Sequence, residues 1–348
     1  MPEEAPRTAR GWPAILGALS QGHDLSVEEA QAAMAAILDG AASEAQIAGF
    51  IVALRIKGET VDELHGMVEA MLAVADRVHL DVDAPVVDVV GTGGDRAHTI
   101  NVSTLAALVV AGAGTAVCKH GNRAASSATG AADVLAELGV RIDCGSAEVA
   151  RCVAEAGIGF CFAPRFHQAM RHAGPVRRDL GIPTAFNFLG PLANPAGLRH
   201  FMIGVADGSM AEPMIGVLAA RGCKRAMVVH GNDGLDELTV ATTSRVVELQ
   251  DGKIERYEID PTSLGIAPAS PESLVGGDAA TNAEIVRRVL GGQQGPQRDI
   301  VCLNAAAGLV TAEAVDDLEG GLEMARISID SGKAAAALDR LVAASNAA

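Results

Sequence analysis

Basic side chains are in short supply. The 348-residue chain carries 27 Lys and Arg against 43 Asp and Glu, a net charge of −16, so its average field repels phosphate backbones and anionic lipid. Neither nucleic acid nor a membrane is expected as a partner. Any phosphorylated ligand must then be held locally, by backbone N–H groups, a placed cation or a metal ion. The six cysteines, at 118, 144, 152, 161, 223 and 302, include no C-x-x-C pair and no close, even spacing. That excludes a disulfide framework or zinc ribbon and fits a reducing cytosol. His167 and His172 lack H-E-x-x-H spacing, and no other His cluster exists, which removes a zinc site. No G-x-S-x-G or Cys-His pattern of nucleophilic catalysis is present. The most apolar stretch, 104–118, falls short of the roughly 18–20 residues of a membrane span and contains Gly112 and Gly114; it is expected as a buried helix and strand. The opening MPEEAPRTARGWPAILGALS has early acids and prolines and no continuous apolar run, so a cytoplasmic chain without a signal peptide is expected. Internal repeats and low-complexity tracts are absent too.

What remains is the composition of a globular enzyme, 49% hydrophobic and 20% charged, long enough for one large domain or two unequal ones. From about residue 12 to 76 apolar residues recur at helical spacing (Ile15, Leu19; Ala30, Met34, Ile37; Ile47, Phe50, Ile51, Leu54). Ser26 with Glu29 reads as a capping box, and Ser43 and Thr60 precede two further helices. After Pro85, short β-branched runs (86–90, 116–118, 227–230, 246–249, 300–303) alternate with Ala-rich helical stretches, the texture of βαβ units around a mostly parallel sheet. Residues 165–200 interrupt this with a helical pattern ending in Pro-containing turns.

The expected fold is therefore α/β: a large domain with a mostly parallel central sheet flanked by helices, plus a small all-helical domain. The expected boundaries are 1–82, joined by roughly 165–200, for the small domain, and 83–164 with 201–348 for the large one. Six of the seven Phe residues lie in or beside the interrupting segment, as a local aromatic core or as a pocket for an aromatic ligand.

Three segments carry chemistry. The run VVDVVGTGGD (86–95) is an apolar strand entering a glycine-rich turn, read either as a tight connection or as a cradle of backbone N–H groups for an anion. A dinucleotide fingerprint fails because Arg96 stands where a third Gly is needed, and no Gly-Lys-Ser/Thr closes a P-loop. Asn101, Ser103 and Thr104 follow where a helix would begin; capping explains one of them, and phosphate binding would employ all three. The second segment, KHGNRAASS (119–127), is either a solvated polar loop or a polyphosphate site with amide and imidazole groups left for another substrate. The third, HGNDGLDEL (230–238), places Asp236 beside Glu237, as helix-start charges or as ligands for Mg2+ shared with substrate phosphates.

GTGGD, N-x-ST, KHGNRAASS, GAADVLAELGV, APRFHQAM, PVRRDLG, FNFLGPLANP and HGNDGLDEL occur in an order and spacing that resembles the anthranilate phosphoribosyltransferase family over essentially the whole chain. The resemblance implies phosphoribosyl pyrophosphate (PRPP) and anthranilate as substrates, Mg2+ with two ions per subunit, and a homodimer formed through the helical domain. It implies PRPP binding by Gly91, Thr92, Gly93, Gly94, Asp95, Thr99, Asn101, Ser103, Thr104, Lys119 and Ser127, and metal association by Ser103, Asp236 and Glu237. For anthranilate it implies Gly91, His120, Asn122, His167, Arg177, Gly190 and Pro191, with Lys119 and Arg177 closest to the chemistry. Arg96 departs from the family, which has Gly after GTGGD; it is expected to join phosphate binding. Pro183 and Thr129 also depart, without touching the acceptor motifs.

With pyrophosphate as a good leaving group, catalysis needs charge stabilisation and positioning more than a general base. A pyrimidine nucleoside phosphorylase and a catalytically silent binding homologue are the alternatives.

Overall fold

The computed structural model describes residues 11–124 and 129–347; Ser127, expected at the phosphates, lies outside them. Four helices come first: α1 (Trp12–Ser20), α2 (Val27–Leu38), α3 (Glu44–Lys57) and α4 (Val61–Ala73). Local sequence sets three of the starts. Ser26, Ser43 and Thr60 each accept the backbone N–H three residues on, and Glu29, Gln46 and Glu63 reach back to the cap N–H. Each cap contributes roughly 1 kcal/mol. Their inner faces bury Ile15, Leu19, Met34, Ile37, Phe50, Ile51 and Leu54, the positions that the helical spacing marks out.

The chain then alternates through β1 (Val86–Gly91), α5 (Val102–Gly112), β2 (Ala116–Gly121), α6 (Ala131–Glu137), α7 (Ser146–Ala156), β3 (Ile158–Phe162) and the short α8 (Ala163–Phe166). A 3-10 turn, α9 (Gly174–Leu180) and α10 (Phe186–Leu192) follow. The alternation resumes with β4 (His200–Gly204), α11 (Ala211–Ala220), β5 (Arg225–Gly231), β6 (Ser244–Gln250) and β7 (Lys253–Ile259). It closes with α12 (Ala279–Leu290), α13 (Pro296–Thr311), α14 (Leu318–Asp330) and α15 (Lys333–Asn346).

The seven strands form one sheet in the order β3-β2-β1-β4-β5-β6-β7. The first five are parallel, and β6 and β7 are antiparallel. From β1 the order runs outward through β2 and β3 on one side and through β4 and β5 on the other. That reversal makes the crevice beyond the carboxyl ends of β1 and β4 the natural ligand position in an open α/β sheet.

Val87 and Val89 of β1 are fully buried, as is nearly all of α5 and of α13, which packs on α5, β1 and β4. Here one expectation is corrected: Ile300–Leu303, read as a strand, lies inside α13. A helix buried on every side is as continuously apolar as a buried strand, so periodicity does not separate the two.

The Cα positions divide into two compact units. One holds the described residues up to Ala75 together with His167–Ala193, and the other holds Asp76–Phe166 and the described residues from Asn194 onward. The first is entirely helical; the second contains the sheet.

Candidate active site

In the sheet unit, β1 delivers its chain to the crevice through Gly91, Thr92, Gly93, Gly94 and Asp95. Gly93 and Gly94 take φ of +68° and +89°, a backbone open to glycine at little cost. Thr92 N–H donates to the Gly204 carbonyl (2.9 Å), and Thr92 Oγ1 accepts the Ala206 N–H (3.1 Å), so the turn is fastened to β4. Gly93 N–H donates to Asp236 Oδ2 at 2.7 Å. A carboxylate thus already holds one of the N–H groups that the turn was expected to offer an anion. A Cβ on Gly91 or Gly204 would collide with Asp236; both glycines are there to admit that acid.

Arg96 and His98 adopt φ of +60° and +53° without being glycine, and Arg96 is exposed. Thr99, past the 91–95 turn, forms an isolated antiparallel bridge to Val275.

Asn101 stands at the N-cap of α5 but makes no capping bond. Its amide donates to the Thr129 carbonyl (3.1 Å) and its oxygen accepts from Asn282 (2.9 Å), which corrects the capping expectation. Ser103 N–H donates to Glu237 Oε1 at 3.1 Å, and Ser103 Oγ accepts from Lys119 Nζ at 3.2 Å. Thr104 is buried, and its hydroxyl has no hydrogen-bond partner among the described residues.

Lys119 is the central cation. It is 2% exposed on β2, and its Nζ also donates to the Val89 carbonyl at 2.5 Å. Burial pulls its pKa below the usual lysine value, against the opposing charges of Asp88, Glu237 and Asp236. Both acids of the third segment are buried. Burial pushes Asp236 up to about 7, with the Asp95 charge adding to it; Glu237 is raised well above its ordinary value by burial and then by Asp236. No helix follows them, since the chain runs through turns into β6, so they are not helix-start charges.

The structure therefore joins 91–95, 101–104, 119 and 236–237 by direct hydrogen bonds at one place. Asn122 is exposed beyond β2, where its oxygen accepts the Arg123 N–H. His120 is buried, and its N–H donates to Asp88.

The other expected residues lie in the helical unit. His167 Nε2 is 2.9 Å from the Ala193 carbonyl oxygen, and Gly190 and Pro191 sit in α10. Arg177 of α9 is half-buried, with its guanidinium carbon 5.6 Å from the Phe186 ring centre. Burial alone lowers its pKa, so among the described residues no carboxylate balances it. Sequence reading missed Asp88, Asn194 and Asn282. Asp88 carries a visible signal, an acid inside the otherwise apolar VVDVVG.

No three His, Cys, Asp or Glu side chains among the described residues form a group able to hold a metal ion. No helix among the described residues is long and apolar enough to cross a membrane.

A glycine-rich strand-turn at a sheet's switch point, in a chain that also folds an all-helical unit, defines a class. Residues 83–335 match the family described as "Glycosyl transferase family, a/b domain", and 13–75 match its helical bundle domain. An anthranilate phosphoribosyltransferase of Salinispora arenicola is 55% identical, covering 97% of this chain and 98% of that protein; one of Arthrobacter is 52% identical over 99% of each. The solved structure of the Thermus thermophilus enzyme superposes with a TM-score of 0.90 at 42% identity (96% and 99% covered). That of the Saccharomyces cerevisiae enzyme in complex with PRPP and Mg superposes at 0.87 and 27% identity (96% and 97% covered). This chain belongs to the anthranilate phosphoribosyltransferases, within that glycosyl transferase family.

Proposed function

We propose that the chain transfers the phosphoribosyl group of PRPP to the amino group of anthranilate, releasing pyrophosphate, with Mg2+ required. The observation that carries this reading is buried Lys119, bonded to Ser103 beside two buried acids at the switch point. The crowding of Asp236, Glu237 and Asp95, which with burial disfavours the charged forms of the first two, fits a divalent cation that shares its coordination with substrate phosphates. Ser103, Asp236 and Glu237 would hold it, two ions per subunit. When bound, Mg2+ offsets the negative charge of the departing pyrophosphate.

The chain's own groups do the rest. The 91–95 turn, Asn101, Ser103 and Thr104 orient the phosphates, and Lys119 stabilises charge as the C1–O bond breaks. Arg177, a half-buried cation that no carboxylate among the described residues balances, pairs with the anthranilate carboxylate, while Asn122, His120, His167, Gly190 and Pro191 serve the same substrate. An aromatic amine is neutral at pH 7, so attack on the oxocarbenium-like carbon needs no strong base. The two compact units are read as its two domains. The homodimer is assigned to the helical unit, where Ile56 on α3 is 82% exposed, and the protein is placed in the cytoplasm.

The test follows anthranilate fluorescence with PRPP and Mg2+. Turnover is expected in the wild type, and Arg177→Ala should raise the anthranilate KM at least tenfold, through a lost charge-assisted bond of roughly 1.5–3 kcal/mol, with the PRPP KM little changed. No turnover across a range of Mg2+, or phosphorolysis of thymidine instead, overturns the reading.

A further inference from the structure

β1 and β2 are neighbours, yet their ladder carries only the pairs Val86–Ala116 and Val87–Val117. Each strand continues with its other neighbour, β1 with β4 as far as Gly91–Gly204 and β2 with β3 as far as Gly121–Phe162. Past Val87 the two strands part. Main-chain groups that a ladder would pair must then find other partners, or stay buried and unpaired at about 1–3 kcal/mol each.

Side chains take the place of the missing ladder. His120 N–H donates to Asp88 Oδ1 (3.1 Å), Asn194 Nδ2 donates to the Cys118 carbonyl (2.8 Å), and Lys119 Nζ donates to the Val89 carbonyl. Asn194 Nδ2 also donates to Asp88 Oδ2 at 2.8 Å, and Asn194 Oδ1 accepts the Ala196 N–H at 2.9 Å, which fixes the orientation of the amide. Asp88 and Asn194 are 0% and 1% exposed. Burying a carboxylate here is costly, and burial pushes Asp88 up to about 7 despite the Lys119 charge and two donors. A sheet needing stability alone would extend the ladder, as β1 with β4 and β2 with β3 do. The costly alternative sits beneath the residues that face the phosphates.

We propose that Asp88 and Asn194 are positioning residues for phosphoribosyl transfer: wedged where β1 and β2 separate, they hold the strand ends apart and set Lys119 and His120 at the substrate. The inference rests on the transferase reading above. Neither side chain needs to touch substrate; both act through the backbone of residues 118–120.

The experiment compares wild type, Asp88→Asn, Asn194→Ala and the exchange Asp88→Asn with Asn194→Asp. It measures thermal midpoint, PRPP Kd by calorimetry with Mg2+, and kcat/KM for each substrate. Asp88→Asn sets an NH2 group against the His120 N–H or the Asn194 amide. At least a thirtyfold fall in kcat/KM for PRPP is expected, with a matching rise in PRPP Kd. Asn194→Ala should behave alike. The exchange restores the 88–194 bond and keeps acceptors for the His120 and Ala196 N–H groups, while a carboxyl oxygen replaces the donor that faced the Cys118 carbonyl. It should recover at least half of the loss on a logarithmic scale.

Folded single variants whose PRPP Kd and kcat/KM stay within threefold of wild type, whatever their thermal midpoints, overturn the proposal. So does an exchange no better than its parents. Should Asp88→Asn fail to fold, Asn194→Ala and the exchange decide. Should wild type bind PRPP without transferring it to anthranilate, the transferase reading fails, and the PRPP Kd series still decides the wedge.

Discussion

At the amino ends of β4 and β5, Arg225 is bonded to Glu248 at 2.9 Å, Tyr257 donates to the same carboxylate at 2.7 Å, and Lys224 meets Glu313 at 2.6 Å with His200 3.6 Å away. At the carboxyl ends of the same sheet, Asp236 and Glu237 lie buried with the Asp95 charge nearby, and Lys119 is the cation that opposes them. One end balances its charges; the other gathers more negative charge than it neutralises. The first arrangement is what folding by itself favours. The second costs stability, the pattern expected where a local rule is broken for function.

The largest effect should come from breaking the unbalanced end. Asp236→Asn with Glu237→Gln keeps carbonyl oxygens for the Gly93 and Ser103 N–H groups while removing both charges. The Mg2+-dependent kcat/KM should fall at least hundredfold, about 2.7 kcal/mol, and the thermal midpoint should rise. A midpoint that falls would place these acids among the stabilising ion pairs.

Next comes the balanced end. Arg225→Met leaves Glu248 without its cation and should cost about 3 kcal/mol in denaturant unfolding, with kcat/KM of the folded protein unchanged. Loss of activity beyond the unfolded fraction would contradict the division between the ends.

A smaller effect concerns His200, whose pKa is lowered by burial against the pull of Glu313. A lowered folded pKa means that the unfolded chain binds the extra proton first, so the stability from neutral His200 is complete above about pH 6.5 and lost as pH falls. Between pH 7.5 and 5.5 the urea midpoint of wild type should decline, and His200→Gln should flatten that decline. Parallel curves for the two proteins would remove His200 from the balance.

The smallest effect is at Arg96. Its φ of +60° costs a non-glycine residue roughly 1 kcal/mol, so Arg96→Gly should leave stability unchanged or slightly higher. PRPP binding should weaken several-fold and lose salt sensitivity as one cation near the anion is removed. Tighter binding by the Gly variant would mark Arg96 as an obstruction.

Much of this was legible from residues. The capping boxes, the runs that became β1, β2, β5 and β6, and the glycine turn depend on local chemistry, and local chemistry is written in sequence. The fate of 300–303 was not, because helix and strand look alike when every face is buried. Nor was the bond from Gly93 to Asp236, which joins residues 143 positions apart. The left-handed backbone at Arg96 was equally hidden, since arginine carries no signal for it.

The helical unit is assembled from two stretches of chain separated by about a hundred residues, α1–α4 and then α9–α10. At ribosomal speeds of about 5–20 residues per second, the first four helices emerge roughly 5–20 s before their last partners are made. During that interval the faces of α3 and α4 that later contact α9 and α10 stand uncovered. The amino-terminal helices therefore depend for their last contacts on residues 167–193, made after most of the parallel sheet.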